Sequence, residues 1–173
     1  MDNVNDSFTL KPISTDEDMK AAFDLVSEIW PVCYRDILST DQITYMIARM
    51  YAPETIQLET NEGTPFFFVQ VENKSVGVLS FDMRPNAAQV VLLHKIYLLP
   101  AYWGTGLGHQ ILLLVSEQAL AAGAEAVELR VNRHNERAIR AYKRVGFFVK
   151  ETVITDFGGG FFVDDYIMRK ELK

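Results

Sequence analysis

VVLLHKIYLLPAYWGTGLGH, residues 90–109, is the stretch whose reading decides the fold. Its first half is apolar and β-branched, the pattern of a buried strand. Pro100 stops the ladder because it has no N–H to donate. Gly104, Gly106 and Gly108 follow at alternate positions. Leu107, Ile111, Val115, Ala119 and Ala122 then keep helical spacing until Gly123 closes the run. Strand, glycine-rich turn and helix together aim free backbone N–H groups and a helix dipole at an anion such as phosphate. The spacing excludes two common phosphate loops: His109 stands where a dinucleotide turn needs its third glycine, and the Gly-Lys-Ser/Thr of a Walker loop is absent.

A second stretch, VNRHNERAIRAYKRVGF (residues 131–147), predicts a helix with complete end signals. Asn135 suits the N-cap, Glu136 the positive end, Lys143 and Arg144 the negative end, and Gly146 the close. Its spacing of Asn135, Ala138, Tyr142, Gly146 and Phe147, taken with the first stretch, resembles the paired hallmarks of the GNAT superfamily of N-acetyltransferases. The superfamily's coenzyme A loop reads Gln or Arg, two residues, Gly, any residue, Gly or Ala. Gly106 and Gly108 meet it, and Trp103 stands at the Gln/Arg position.

That resemblance implies acetyl-CoA as co-substrate and no metal. It places the pyrophosphate on the amides of Trp103, Gly104, Thr105, Gly106, Leu107, Gly108 and His109, with the Thr105 hydroxyl as a further donor. The strand is bulged near its end in the superfamily, and the main chain at Ile96, Tyr97 and Leu98 would pair with the pantetheine arm and polarise the acetyl carbonyl. Asn135 would hydrogen-bond that arm, and Tyr142 would protonate the departing thiolate, as a phenol with an ordinary pKa of about 10 can. His94, an imidazole interrupting an apolar run, is the base candidate; strand alternation puts it on the face of Leu92 and Ile96. Each residue also has a plain structural reading: N-cap for Asn135, core tyrosine for Tyr142, and a strand histidine satisfied by a neighbour for His94.

The remaining chain predicts an α/β fold in one domain over 1–173, a mixed central sheet with helices on both faces. A strand over 8–13 precedes a helix capped by Ser14 or Thr15 and ended by Pro31. A second helix, capped by Thr40 or Asp41, stops at Pro53, and 54–64 reads as a polar turn. Strands over 66–71 and 76–83 form a hairpin. After the glycine loop and its helix come strands over 126–131, 147–155 and 161–169, the last two joined by Gly158-Gly159-Gly160. The coenzyme core spans about 90–147 and the acceptor elements about 30–45 and 155–166.

Composition bounds the function. The 173 residues include one cysteine, Cys33, and three histidines, so neither an intramolecular disulfide nor a metal-ligand spacing is available. The start, MDNVNDSF, lacks signal-peptide character, and no apolar run approaches the roughly 18 residues of a membrane span, so a cytoplasmic location without membrane contact is expected. The net charge of −6 argues against nucleic acid. Residues 94–150, which hold both motifs, nevertheless carry 8 Lys/Arg against 4 Asp/Glu, a local +4 suited to a polyphosphate ligand.

The acceptor segments supply aromatics and carboxylates, among them Trp30, Tyr34 and Asp165, which suit a cationic amine. The tail DFGGGFFVDDYIMRKEL is similar to polyamine-type acetyltransferases. Transfer to a small primary amine such as a polyamine, by direct attack in a ternary complex, is therefore the leading expectation. Acetylation of a protein N-terminus or lysine is the second, and a non-catalytic acyl-CoA-binding module is the third. Many members of the superfamily form homodimers.

Overall fold

The structure is a computed structural model that describes residues 8–173; the reading of the first seven residues lies outside it. Strand β1 (Thr9–Pro12) leads into helix α1 (Asp16–Cys33). Thr15 and Asp18 form a reciprocal capping box at its start. Pro31 does not end this helix, as its ring was expected to; α1 runs on to Cys33. The lost bond falls on the carbonyl of Ser27 one turn earlier, and the cap N–H of Tyr34 still bonds Trp30 O.

Helix α2 (Thr40–Met50) is capped by Ser39, one residue before the expected caps. The segment expected as a polar turn is instead a third helix, α3 (Pro53–Asn61), so three helices rather than two lie between β1 and the strand that follows. Pro53 both stops α2 and opens α3, since proline at the first helical position gives up no bond. Only Ile56 of α3 is buried, which is why periodicity did not reveal it.

Strands β2 (Phe66–Val71) and β3 (Lys74–Phe81) form the expected hairpin, turning at Glu72 and Asn73, both with positive φ. Strand β4 (Val90–Leu98), helix α4 (Leu107–Ala121), strand β5 (Ala126–Asn132), helix α5 (Glu136–Arg144), and strands β6 (Phe148–Gly158) and β7 (Phe161–Glu171) complete the chain. The seven strands lie in the order β1-β2-β3-β4-β5-β7-β6. Only β4 and β5 are parallel.

Two apolar clusters sandwich this sheet. One packs Leu107, Ile111 and Val115 of α4 and Ile139 and Tyr142 of α5 on Val91, Leu93, Leu129 and Met168. The other packs Val26 and Trp30 of α1, Ile47 of α2 and Ile56 of α3 on Phe66, Phe68, Val78 and Val163. The α/β class, with a mixed sheet covered on both faces, is as expected. Among the described residues no helix is long and apolar enough to cross a membrane.

Two irregularities shape what lies between the clusters. The ladder of β3 on β4 shifts between Ser80 and Phe81, which pair with Lys95 and Leu93, so His94 is the bulged residue. Before the bulge Val91 and Leu93 face the α4 cluster; after it Ile96 and Leu98 do. The bulge thus breaks the alternation that would have set His94 beside Leu92 and Ile96. In addition, β4 pairs with β5 only over Val90–Leu93, although β4 continues to Leu98. The parallel seam opens beyond that point.

Candidate active site

Past Leu93 the edge of β4 that faces β5 has no strand partner. Leu99 N donates to Val76 O at 2.8 Å, so alternation along an antiparallel ladder turns the N–H and C=O of Ile96 and Leu98 into the opening. Gly77 permits the close pairing on the other edge: a Cβ there would lie 2.4 Å from Tyr97 O. The Leu98 carbonyl accepts the Trp103 indole N–H at 2.9 Å, which ties the glycine loop to the strand end.

The loop turns through Gly104 (φ 71°) and Gly106 (φ 90°), a conformation that a side chain would strain. Gly106 caps α4 without a side-chain bond. The amides of Gly108 and His109 meet no acceptor among the described residues, leaving the positive helix end open to an anion. The Thr105 hydroxyl donates inward to Tyr102 O at 2.7 Å and accepts from Leu107 N at 3.4 Å, so it braces the turn.

Sequence reasoning missed Arg137. Its guanidinium carbon sits 3.6 Å from the centre of the Trp103 ring. A cation is thereby held where the family pattern has Gln or Arg, but it comes from α5. Nothing in the local sequence of either residue shows this; a position two residues past the Asn135 cap was the only hint. Asn135 itself accepts from Ala138 N at 3.3 Å as an N-cap, and its amide nitrogen lies 3.9 Å from Cys33 Sγ.

A cavity of about 300 Å³ extends from the opened seam toward α1 and α2, enough for a small ligand. It is lined by Trp30, Cys33 and Tyr34, by His94 through Leu98, by Trp103, Asn135 and Tyr142, and by Asp165. Tyr34 and Tyr97 share a hydrogen bond at 3.1 Å, and the Trp30 ring lies 4.8 Å and 5.3 Å from theirs. Trp30 is 1% exposed, so its place is in the wall.

Tyr142 is buried on the face of α5 that meets the cavity, and its hydroxyl has no hydrogen-bond partner among the described residues. Burial, with a smaller contribution from Cys33, raises its pKa and keeps the phenol protonated. Burial also raises the Cys33 thiol, against the pull of Arg137, so this cysteine is not an activated nucleophile.

His94 Nε2 lies 2.8 Å from Asp82 Oδ1, which also accepts from Thr64 Oγ1 at 2.7 Å. Asp82 Oδ2 accepts from Leu92 N at 3.3 Å. Burial would raise the Asp82 carboxyl, but the bonds from His94 and Thr64 outweigh it and keep the group ionised. With Asp82 accepting at Nε2, the neutral imidazole presents Nδ1 as an acceptor.

Asp165 is 8% exposed, and its carboxylate makes no hydrogen bond or ion pair among the described residues. Burial pushes it up to about 6, Arg130 opposing and Asp164 adding to the effect. It stands opposite Asn132 in the β5–β7 ladder. No group of metal-ligating side chains occurs among the described residues.

Known proteins share this fold. The family model described as Acetyltransferase (GNAT) family matches residues 20–147. The chain belongs to that family. An uncharacterized N-acetyltransferase of Methanocaldococcus jannaschii is 35% identical over 92 residues, covering 51% of this chain and 41% of that protein. A thialysine N-epsilon-acetyltransferase of Bos taurus is 39% identical over 70 residues, covering 40% and 41%. The matched stretches thus span less than half of these two relatives. The crystal structure of PaiA N-acetyltransferase from Thermoplasma acidophilum, in complex with coenzyme A, superposes with a TM-score of 0.76 at 23% identity, covering 95% of this chain and 99% of that one.

Proposed function

We propose that the chain, as one domain over 1–173, transfers the acetyl group of acetyl-CoA to the primary amine of a small molecule by direct attack in a ternary complex. The observation that carries this reading is a cavity that joins the open edge of β4 to an unpaired buried carboxylate, with Tyr142 on its lining. A buried carboxylate without a partner is costly, and an ammonium group is the ligand that relieves it.

The residues present suit coenzyme A. The free amides at the start of α4 and the Arg137 guanidinium would meet its phosphates, and the N–H and C=O groups of Ile96 and Leu98 its pantetheine arm. Bound acetyl-CoA supplies a thioester carbon, so that a C–N bond forms as the C–S bond breaks. Asp165 would hold the incoming ammonium. His94 Nδ1, its tautomer fixed by Asp82, would take one proton from the ammonium to free the attacking lone pair and release it to solvent. The second proton, lost from nitrogen once the C–N bond forms, would leave by the same imidazole. The Tyr142 hydroxyl would donate to the departing sulfur and be reprotonated from solvent. Trp30, Tyr34 and Tyr97 wall the acceptor half with aromatic faces, which favour a cation beside them.

The test is thiol release from acetyl-CoA with amino acids, monoamines, polyamines and short peptides, comparing wild type with Tyr142→Phe. Turnover of a small-amine class, with kcat lowered about 10²-fold or more in the variant, is expected. Faster turnover of peptides would move the acceptor to proteins. Tight coenzyme binding without turnover of any amine would make the chain a binding module.

A further inference from the structure

The charges on the cavity wall do not match a polyamine. Asp165 is the one carboxylate among its described lining residues, beside the cationic residues Lys95, Arg130 and Arg137 and the imidazole of His94. Three of those four are already engaged. His94 is held by Asp82. Lys95 is buried against Glu59 at 3.1 Å and lies over the Phe66 ring. Arg137 is stacked on Trp103 at the coenzyme side. Arg130 remains. Its Nη1 donates to the neutral Thr155 hydroxyl at 3.1 Å, and it has no carboxylate within ion-pair distance. A guanidinium with one neutral partner keeps most of its five N–H groups for an anion.

Arg130 and Asp165 stand on one face of the sheet. Val127, Leu129 and Val131 point into the α4 cluster, so Arg130 and Asn132 point to the opposite side, where Asp165 pairs with Asn132. Arg130 is thus the diagonal cross-strand neighbour of Asp165, their anchor atoms roughly 7–8 Å apart. One amino-acid-sized molecule can span that distance.

We infer that the acceptor is a zwitterion, carrying a carboxylate as well as its primary amine, and that Arg130 is the subsite for the carboxylate while Asp165 holds the ammonium. This rests on the acetyl-transfer reading above and narrows its substrate class. A second ammonium, as in a polyamine, would meet the guanidinium with no carboxylate to offset it. A carboxylate there gains a charge-assisted, bidentate partner.

The deciding experiment compares matched acceptors, each amino acid against the monoamine left when its carboxylate is removed, with polyamines alongside. Thiol release is measured for wild type, Arg130→Gln and Arg130→Lys, and a coenzyme-induced thermal shift in each variant confirms folding. Wild type is expected to favour the carboxylated member by about tenfold or more in kcat/KM, chiefly through KM. That ratio should fall to within about threefold in Arg130→Gln and partly recover in Arg130→Lys. Equal or better use of monoamines or polyamines, or a ratio unchanged in Arg130→Gln, overturns the zwitterion and leaves amine acetylation standing. Silence toward every acceptor, with the thermal shift intact, overturns both.

Discussion

Asp165 shows how one residue can be shaped for binding at the expense of stability. Its carboxyl has an ordinary value of 3.8 and is pushed up to about 6 by burial, with Arg130 and Asp164 the charged groups beside it. Between those values the native state holds more protons than the unfolded chain, so stability falls as pH rises through about 4 to 6 and stays lower above it. Asp165→Asn is therefore expected to melt higher than wild type at pH 7.5, by roughly 2–4 °C for each kcal/mol recovered. The gap should close toward pH 4, and acceptor KM should rise as the carboxylate is lost. Melting curves at the two pH values check this; a variant less stable at both would mean that Asp165 serves the fold. The sequence marked Asp165 as one of several carboxylates in its segment, but only its burial without an ion pair sets it apart from Asp164, whose Oδ2 meets Arg133 at 3.4 Å.

Among elements, the junction of the glycine loop with α5 departs most from the sequence reading. Trp103 stands at the Gln/Arg position of the superfamily's coenzyme A loop. In the fold, its indole N–H pins the loop to Leu98 O, and its ring carries the Arg137 guanidinium. Arg137→Ala is expected to raise the KM for acetyl-CoA about tenfold, with kcat within about threefold, and to reduce the salt dependence of coenzyme binding. Arg137→Lys should recover part of the loss. An unchanged KM would show that the stacked pair only props α5. Helix α3 was missed for a different reason. Its single buried side chain leaves no apolar stripe, and Pro53 signals a stop and a start alike.

At the scale of the whole molecule, two apolar clusters hold the two faces of the sheet, and the seam between β4 and β5 is where its two halves part. A ligand lying in that seam touches strand β4, the start of α4 and α5 together, and so stabilises the folded state as a unit. Coenzyme A at about 100 times its dissociation constant should add about 2.7 kcal/mol, a rise in Tm of roughly 5–10 °C for a chain of this size. Calorimetry with and without coenzyme measures it, and the absence of any shift would count against the seam as the coenzyme site.

Local signals along the chain determined the elements that carry the coenzyme motifs. The apolar run of β4, the glycines opening α4, and the Asn135 cap and basic end of α5 each act through neighbours a few residues away, so they are legible in order. The bulge at His94, the opening beyond Leu93, the Asp82–His94 pair, Arg137 over Trp103, and the lone Asp165 beside Arg130 were decided by tertiary structure alone. Each depends on strands and helices far apart in sequence meeting at one seam, and the charge balance of a cavity exists only once its walls do.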